Sequence, residues 1–230
     1  MLQKIEKMQK ALFYKEWLKV RWFFLLAMLA SWGFVGYGLL RINRVVTMKG
    51  AAHVWEVMLE RDVVFIDGLT YVPLIIGILM ALVQFVPEMQ QSRLKLALHL
   101  PCGQYRTIVS MLLFSCLLLL ACFASNLIIM GSYLSNILAY ELTMRILLTA
   151  LTWYVAGLAG YLLTAWMCLE PTWKRRIFNL LVSAGVLRIF FLSSFPEAYN
   201  GFLLLLAVYS LLFIFLPLLS VHRFKTGKQD

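Results

Sequence analysis

Three histidines (His53, His99, His222), four cysteines (Cys102, Cys116, Cys122, Cys168) and eleven carboxylates are the groups with which this chain could do chemistry. Hydrolysis inside a bilayer needs a nucleophile with a base beside it, or metal ligands held at membrane depth. The sequence has no HExxH, no GxSxG and no pair of carboxylates inside an apolar stretch, and the histidines all lie outside such stretches. That argues against membrane proteases of the serine and zinc kinds and against histidine-based lipid phosphatases. His53 and Met58 are soft metal ligands by type, but a Met five residues from a lone His is poor ligand geometry, and no metal is expected. Without a CxxC pair there is no zinc ribbon or redox motif, so the cysteines read as reduced packing residues. The phosphate-cradling GxxxxGK[ST] is missing too, because Gly227-Lys228 runs into Gln229 and lacks the upstream glycine. The chain is expected to be no enzyme and to carry no cofactor of its own.

The composition says where these groups must sit. Of 230 residues, 62% are hydrophobic and 14% charged, with a mean hydropathy of +0.83. Soluble domains run about 45–50% apolar and about 25% charged, so most of this apolar surface must face lipid. A membrane-crossing helix takes roughly 20 apolar residues. Six stretches are expected to cross, at 22–40, 69–86, 108–130, 147–167, 177–192 and 202–221. The fifth is the shortest and carries Arg188, and were it only re-entrant the C-terminus would lie on the other side. The fold expected is an all-α polytopic membrane protein, one transmembrane domain over 1–230. It divides into a cytoplasmic amphipathic helix (1–21), a six-helix bundle (22–221) and a cytoplasmic tail (222–230).

Charge sets the orientation. With six crossings, one side receives 15 of the 21 lysines and arginines and five carboxylates, a net charge of +10. The other side carries six of each sign. By the positive-inside rule the basic side is cytoplasmic, which puts both termini inside. The formal +10 thus belongs to loops and not to a nucleic-acid surface. About twenty polar and basic residues precede an apolar run long enough to span, unlike a cleaved signal, so the first helix is expected to stay in the mature chain.

Between the crossings several features stand out. Ile5, Met8 and Leu12 share a helical face ahead of the first span, with lysines on the others, as in a helix lying in the headgroup layer and anchored by Trp17 and Trp22. Within 41–68, Val54, Val57 and Met58 fall along one face of a short surface helix. Ala156 and Gly160, with Gly157 and Ala159 beside them, allow a neighbouring helix to come close; Gly33, Gly36 and Gly38 read similarly. Arg188 is the one firmly charged side chain inside an expected span. It lies near the outer end, where it can snorkel or pair with Asp67; the alternative is a place on a translocation path. The loop 87–107 reads as a short helix flat on the cytoplasmic face, with Leu94, Ala97 and Leu98 on one side, closed by Pro101 and Gly103.

A basic amphipathic leader, six spans, and a Glu at the inner end of the second span followed by a leucine-rich lever and a Pro together resemble the membrane subunit of ABC-2-type transporters. The matching residues are Glu88, Ser92, Leu94–Leu100 and Pro101; the family's usual Gly-Thr after the Glu is absent, with Ser92-Arg93 in its place. The architecture covers nearly the whole chain and the motif about fifteen residues. The resemblance implies a permease in the bacterial cytoplasmic membrane, facing a second copy or a homologous permease, with ATP and Mg handled by a separate ATP-binding-cassette ATPase subunit. It implies that Glu88, Ser92, Arg93, Leu94, Leu98 and Pro101 form the ATPase-coupling site. Leu94 and Leu98 would insert into the partner's groove, while Glu88 fixes the lever's angle by pairing with a basic residue or capping the helix start. Two other classes stay open: the six-helix substrate-binding component of an energy-coupling vitamin transporter, and a non-transport membrane assembly factor.

Overall fold

The computed structural model describes residues 2–60, 62–90, 104–193 and 195–225. Every regular element among them is helical. The order is α1 (Leu2–Lys49), α2 (Ala51–Glu60), α3 (Val72–Gln90), α4 (Gln104–Leu134), α5 (Tyr140–Leu169), α6 (Trp173–Arg188), α7 (Leu203–Leu212) and α8 (Phe215–Lys225), with single 3₁₀ turns at Asp67–Leu69, Ile189–Phe191 and Asn200–Phe202. Among the described residues five stretches are long and apolar enough to cross a membrane: Gln9–Lys49, Asp67–Gln90, Tyr105–Leu134, Tyr140–Leu169 and Asn200–Phe224. The chain is an all-helical, multi-pass membrane protein.

Local sequence explains where these helices stop. α1 ends at Gly50, whose φ of +84° is open to glycine and strained for other residues. α5 ends at Glu170, which is extended at φ −75°, ψ 125°, as the residue before a proline prefers. α7 and α8 are parted by a tight turn, in which Phe213 and Ile214 bond back to Ser210 and Leu211. Pro217, in the first turn of α8, has no N–H with which to continue the ladder.

Two differences from the sequence expectation concern helix limits. The amphipathic leader is not a separate helix: residues 2–49 form one continuous helix, about 72 Å long. No glycine or proline precedes Gly33 to break it, and Leu12, Glu16 and Val20 are buried against the bundle instead of facing outward. The fifth expected span, 177–192, falls on α6 and the 3₁₀ turn after it. With 16 residues and Lys174, Arg175 and Arg176 in its first turn, α6 is shorter and more polar than the other five. The short helix expected near His53 is α2, with Val54 and Met58 fully buried.

α5 is the centre of the bundle. Its most apolar stretch is 72% buried, against 17–44% for the other four, and it packs on α3, α4, α6, α7 and α8. The tightest seam is α3 on α5. A Cβ built on Gly77 would stand 2.0 Å from the Gly157 carbonyl oxygen, and one on Gly157 would stand 2.6 Å from that of Pro73. The small residues read from the sequence at 157 and 160 therefore let two backbones touch. Gly33 and Gly36 on α1 meet nothing within 4 Å, whereas a Cβ on Gly38 would stand 3.3 Å from Ile66 Cγ2, so of these three glycines only Gly38 packs closely within this chain. Gly157→Ala should lower stability by about 1–3 kcal/mol, whereas Gly36→Ala should be neutral or better, as read from unfolding of the detergent-solubilised protein.

Candidate functional site

An apolar bundle in lipid tolerates polar side chains only where they satisfy one another. The largest such group lies where α1, α3, α4 and α5 meet. α1 supplies Lys15, Glu16 and Lys19, one helical turn of ionisable residues. α3 supplies Gln84 and Glu88, a turn apart and so on one face. Glu16, Gln84 and Glu88 are completely buried. Glu88 Oε1 accepts from Lys19 Nζ at 2.7 Å and from Lys15 Nζ at 2.9 Å. Lys19 also donates to Glu16 Oε1 at 3.0 Å, so two lysines balance two carboxylates. Lys15 is 43% exposed and Lys19 14%, which means the cations reach in along their methylene stems while the anions stay dry.

Gln84 carries this cluster into the bundle. Its amide nitrogen donates to Glu16 Oε2 at 2.9 Å and to the Met111 carbonyl of α4 at 3.0 Å. Its amide oxygen accepts from Ser115 Oγ and from Tyr161 OH of α5, both at 2.7 Å. Both donors and both lone pairs of the amide are thus used, and one side chain of α3 is tied to three other helices. Next to it Phe13 of α1 stacks on Phe114 of α4 at 5.6 Å. A third buried carboxylate, Glu170, accepts from Ser220 Oγ and lies 3.4 Å from Arg223 Nη1. Tyr105 OH is 3.2 Å from His222 Nδ1. The N-terminal part of α1, the end of α3, the start of α4 and the ends of α5 and α8 therefore meet at one end of the bundle.

At the opposite end Arg145 donates to Asp62, and Tyr71 packs on Phe191 at 5.1 Å. A cavity of about 220 Å³ opens here, with Asp62, Thr149, Thr152, Trp153, Glu197 and Tyr199 among its lining residues. Asp62 and Glu197 both hold left-handed φ, 51° and 61°, a conformation that costs energy in residues with a side chain.

Of the residues singled out from sequence, Glu88 is placed within the buried ionic cluster. Ser92, Arg93, Leu94, Leu98 and Pro101 lie outside the described residues. The expected pairing of Arg188 with Asp67 is replaced: Asp67 Oδ2 lies 3.5 Å from Arg41 Nη1, and Arg188 is exposed at the end of α6. Asp67 begins the turn ahead of α3, beside the C-terminal part of α1, which brings Arg41 to it first. Lys15, Glu16, Lys19, Gln84, Ser115 and Tyr161 were not anticipated. Their one signal was a Gln and a Glu four residues apart on an otherwise apolar helix. Among the described residues no three metal-ligating side chains converge, and the cluster holds no nucleophile–base pair. What it can do is clamp helices electrostatically.

Removing one partner of a buried pair leaves the other charged in a dry site and costs about 3–5 kcal/mol. Lys19→Met should therefore destabilise strongly, and adding Glu88→Gln with Glu16→Gln should recover a large part of the loss. A triple variant whose loss is the simple sum of its parts would show that the charges are not coupled. Compared with protein families, curated proteins and solved structures, the chain matches none of them.

Proposed function

We propose that the chain is the membrane-spanning permease subunit of an ABC-2-type transporter in the bacterial cytoplasmic membrane. It crosses six times with both termini inside, and works with a second copy or a homologous permease. A separate ATP-binding-cassette subunit binds ATP and Mg and supplies the energy. The six-crossing reading is supported by the contacts at the two ends of the bundle: α6 starts beside Glu170, and Phe191, just beyond its end, packs on Tyr71.

The observation that carries the permease reading is the burial of Glu88 between Lys15 and Lys19. Residues 91–103 join α3 to α4, so a push delivered there enters the bundle through the last turn of α3. Glu88 sits in that turn and ties it to α1, while Gln84 one turn further in ties it to α4 and α5. A domain docked on 91–103 would thereby move four helices together. By residue type, Leu94 and Leu98 with Arg93 and Lys95 beside them suit docking on a partner's groove.

The outer cavity favours a second reading, the substrate-binding component of an energy-coupling vitamin transporter, which needs a polar pocket on that side. Such a component would bind its small ligand saturably with no ATPase present.

The test is co-purification with an ATP-binding-cassette ATPase from the same genome. Burying a Leu side chain is worth about 1.5–3 kcal/mol, so Leu94→Ala with Leu98→Ala should weaken the complex at least about tenfold. Glu88→Gln should leave the complex together and uncouple ATP hydrolysis from transport. Full binding and full turnover in the double variant would remove the permease reading.

A further inference from the structure

α6 carries a polar stripe that neither the coupling reading nor the outer cavity uses. Thr172, Arg176, Asn179 and Ser183 follow one another at steps of four, three and four residues, which places them on one side of a helix. Each has a buried polar atom with no hydrogen-bond partner: Thr172 Oγ1, Arg176 Nε, Asn179 Nδ2 and Ser183 Oγ. Asn179 is 4% exposed and Ser183 8%. Among the described residues the helix that α6 packs on is α5, so this stripe faces the α5–α6 seam. The other side of α6, with Ile177, Phe178 and Leu181, is exposed and apolar, as a lipid-facing side should be.

More than nine in ten buried polar groups in native proteins find partners, and inside a bilayer an orphan has no water to fall back on. Four orphans in one seam are therefore a ligand's worth of unmet bonds. Their chemistry is one-sided. Arg176 Nε and Asn179 Nδ2 can only donate, and the two hydroxyls can donate. An acceptor-rich ligand would satisfy all four.

Charge at the cytoplasmic mouth points the same way. The first turn of α6 has no acidic residue and holds Lys174, Arg175 and Arg176, and Thr172 makes no side-chain cap to the free N–H groups there. Lys174 and Arg175 are exposed. Arg176 spends one nitrogen on the Glu170 carbonyl at 2.9 Å and lies over the Trp173 ring. The nearby Glu170 carboxylate is committed to Ser220 and Arg223. A helix start with open N–H groups and three cations attracts anions.

We infer that the α5–α6 seam is the path by which this protein handles an oxyanion, a phosphate-bearing ligand drawn in at the α6 N-terminus and passed along Arg176, Asn179 and Ser183. The inference rests on α6 crossing the membrane, as the six-crossing reading has it, and adds the substrate class and the route. The phosphate could belong to a lipid headgroup or to a soluble molecule; the seam recognises the oxygens in either case.

The test is thiol accessibility in the purified chain reconstituted without any ATPase, so its outcome is independent of docking at 91–103. Asn179→Cys, Ser183→Cys and Phe178→Cys are each treated with an anionic sulfonatoethyl and a cationic trimethylammonium-ethyl methanethiosulfonate. Rates are read above the background of the parent chain and normalised to a free thiol. Positions 179 and 183 should react at least about tenfold faster than 178 and favour the anionic reagent, a preference that Arg176→Gln should reverse. Protection by inorganic phosphate would assign a soluble ligand. Slowing in phosphatidylglycerol vesicles, but not in phosphatidylcholine, would assign a lipid headgroup. Position 183 as inert as 178, equal normalised rates for the two reagents, or no protection by either phosphate source would each overturn the inference.

Discussion

Glu88 and Glu16 are carboxylates with no access to water in a bundle whose exterior is built for lipid. Taking such a group out of water costs several kcal/mol even after relaxation, and nothing in a hydrocarbon layer can return it. Only a cation held against each carboxylate makes the arrangement tenable. Lys15 and Lys19 can be so held only if α1 is helical through these residues and lies along α3. That one requirement fixes the direction of α1, its continuity through residue 21, and the side it turns toward the bundle.

The rest follows from the neighbours of that cluster. Gln84 turns a two-helix ion cluster into a four-helix one by spending every bond its amide has on α1, α4 and α5. Further out the same pair of helices, α3 and α5, needs no polar contact, because Gly77 and Gly157 bring the backbones together. α3 is therefore held to α5 by close packing along its first half and to α1 by charge at its C-terminal end. Close packing resists sliding, while an ion cluster can be re-partnered. This division gives the end of the bundle that holds Glu88, and not its middle, the capacity to change shape.

Features whose cause is local were legible from sequence. Apolar runs gave five of the helices, the Val54–Met58 spacing gave α2, and the small residues at 157 and 160 gave a close seam. Features that depend on a distant partner were not. Ile5, Met8 and Leu12 make a stripe that suits a membrane surface, and nothing within eighteen residues of it reveals that Glu88 is waiting on another helix. Arg188 and Asp67 were natural partners by sign and by side of the membrane, yet Arg41 on α1 stands nearer. The stripe on α6 was hidden for a related reason: Arg188 drew attention as the formal charge, while Asn179 and Ser183 are ordinary residues until their burial is known. Glu88 was found for its position at the end of a span, and its partners only by folding.

The account stands most directly on α1 being locked to α3 by buried charge in its N-terminal part. Backbone hydrogen exchange in lipid nanodiscs reads this at residues 10–20 of α1. If the cluster holds, these amides exchange as slowly as those of α3 and α4 beside them, and Glu88→Gln speeds residues 10–20 while leaving 25–40 unchanged. Residues 10–20 exchanging freely in the unaltered protein, with 25–40 protected, would contradict the account and return the leader to the membrane surface.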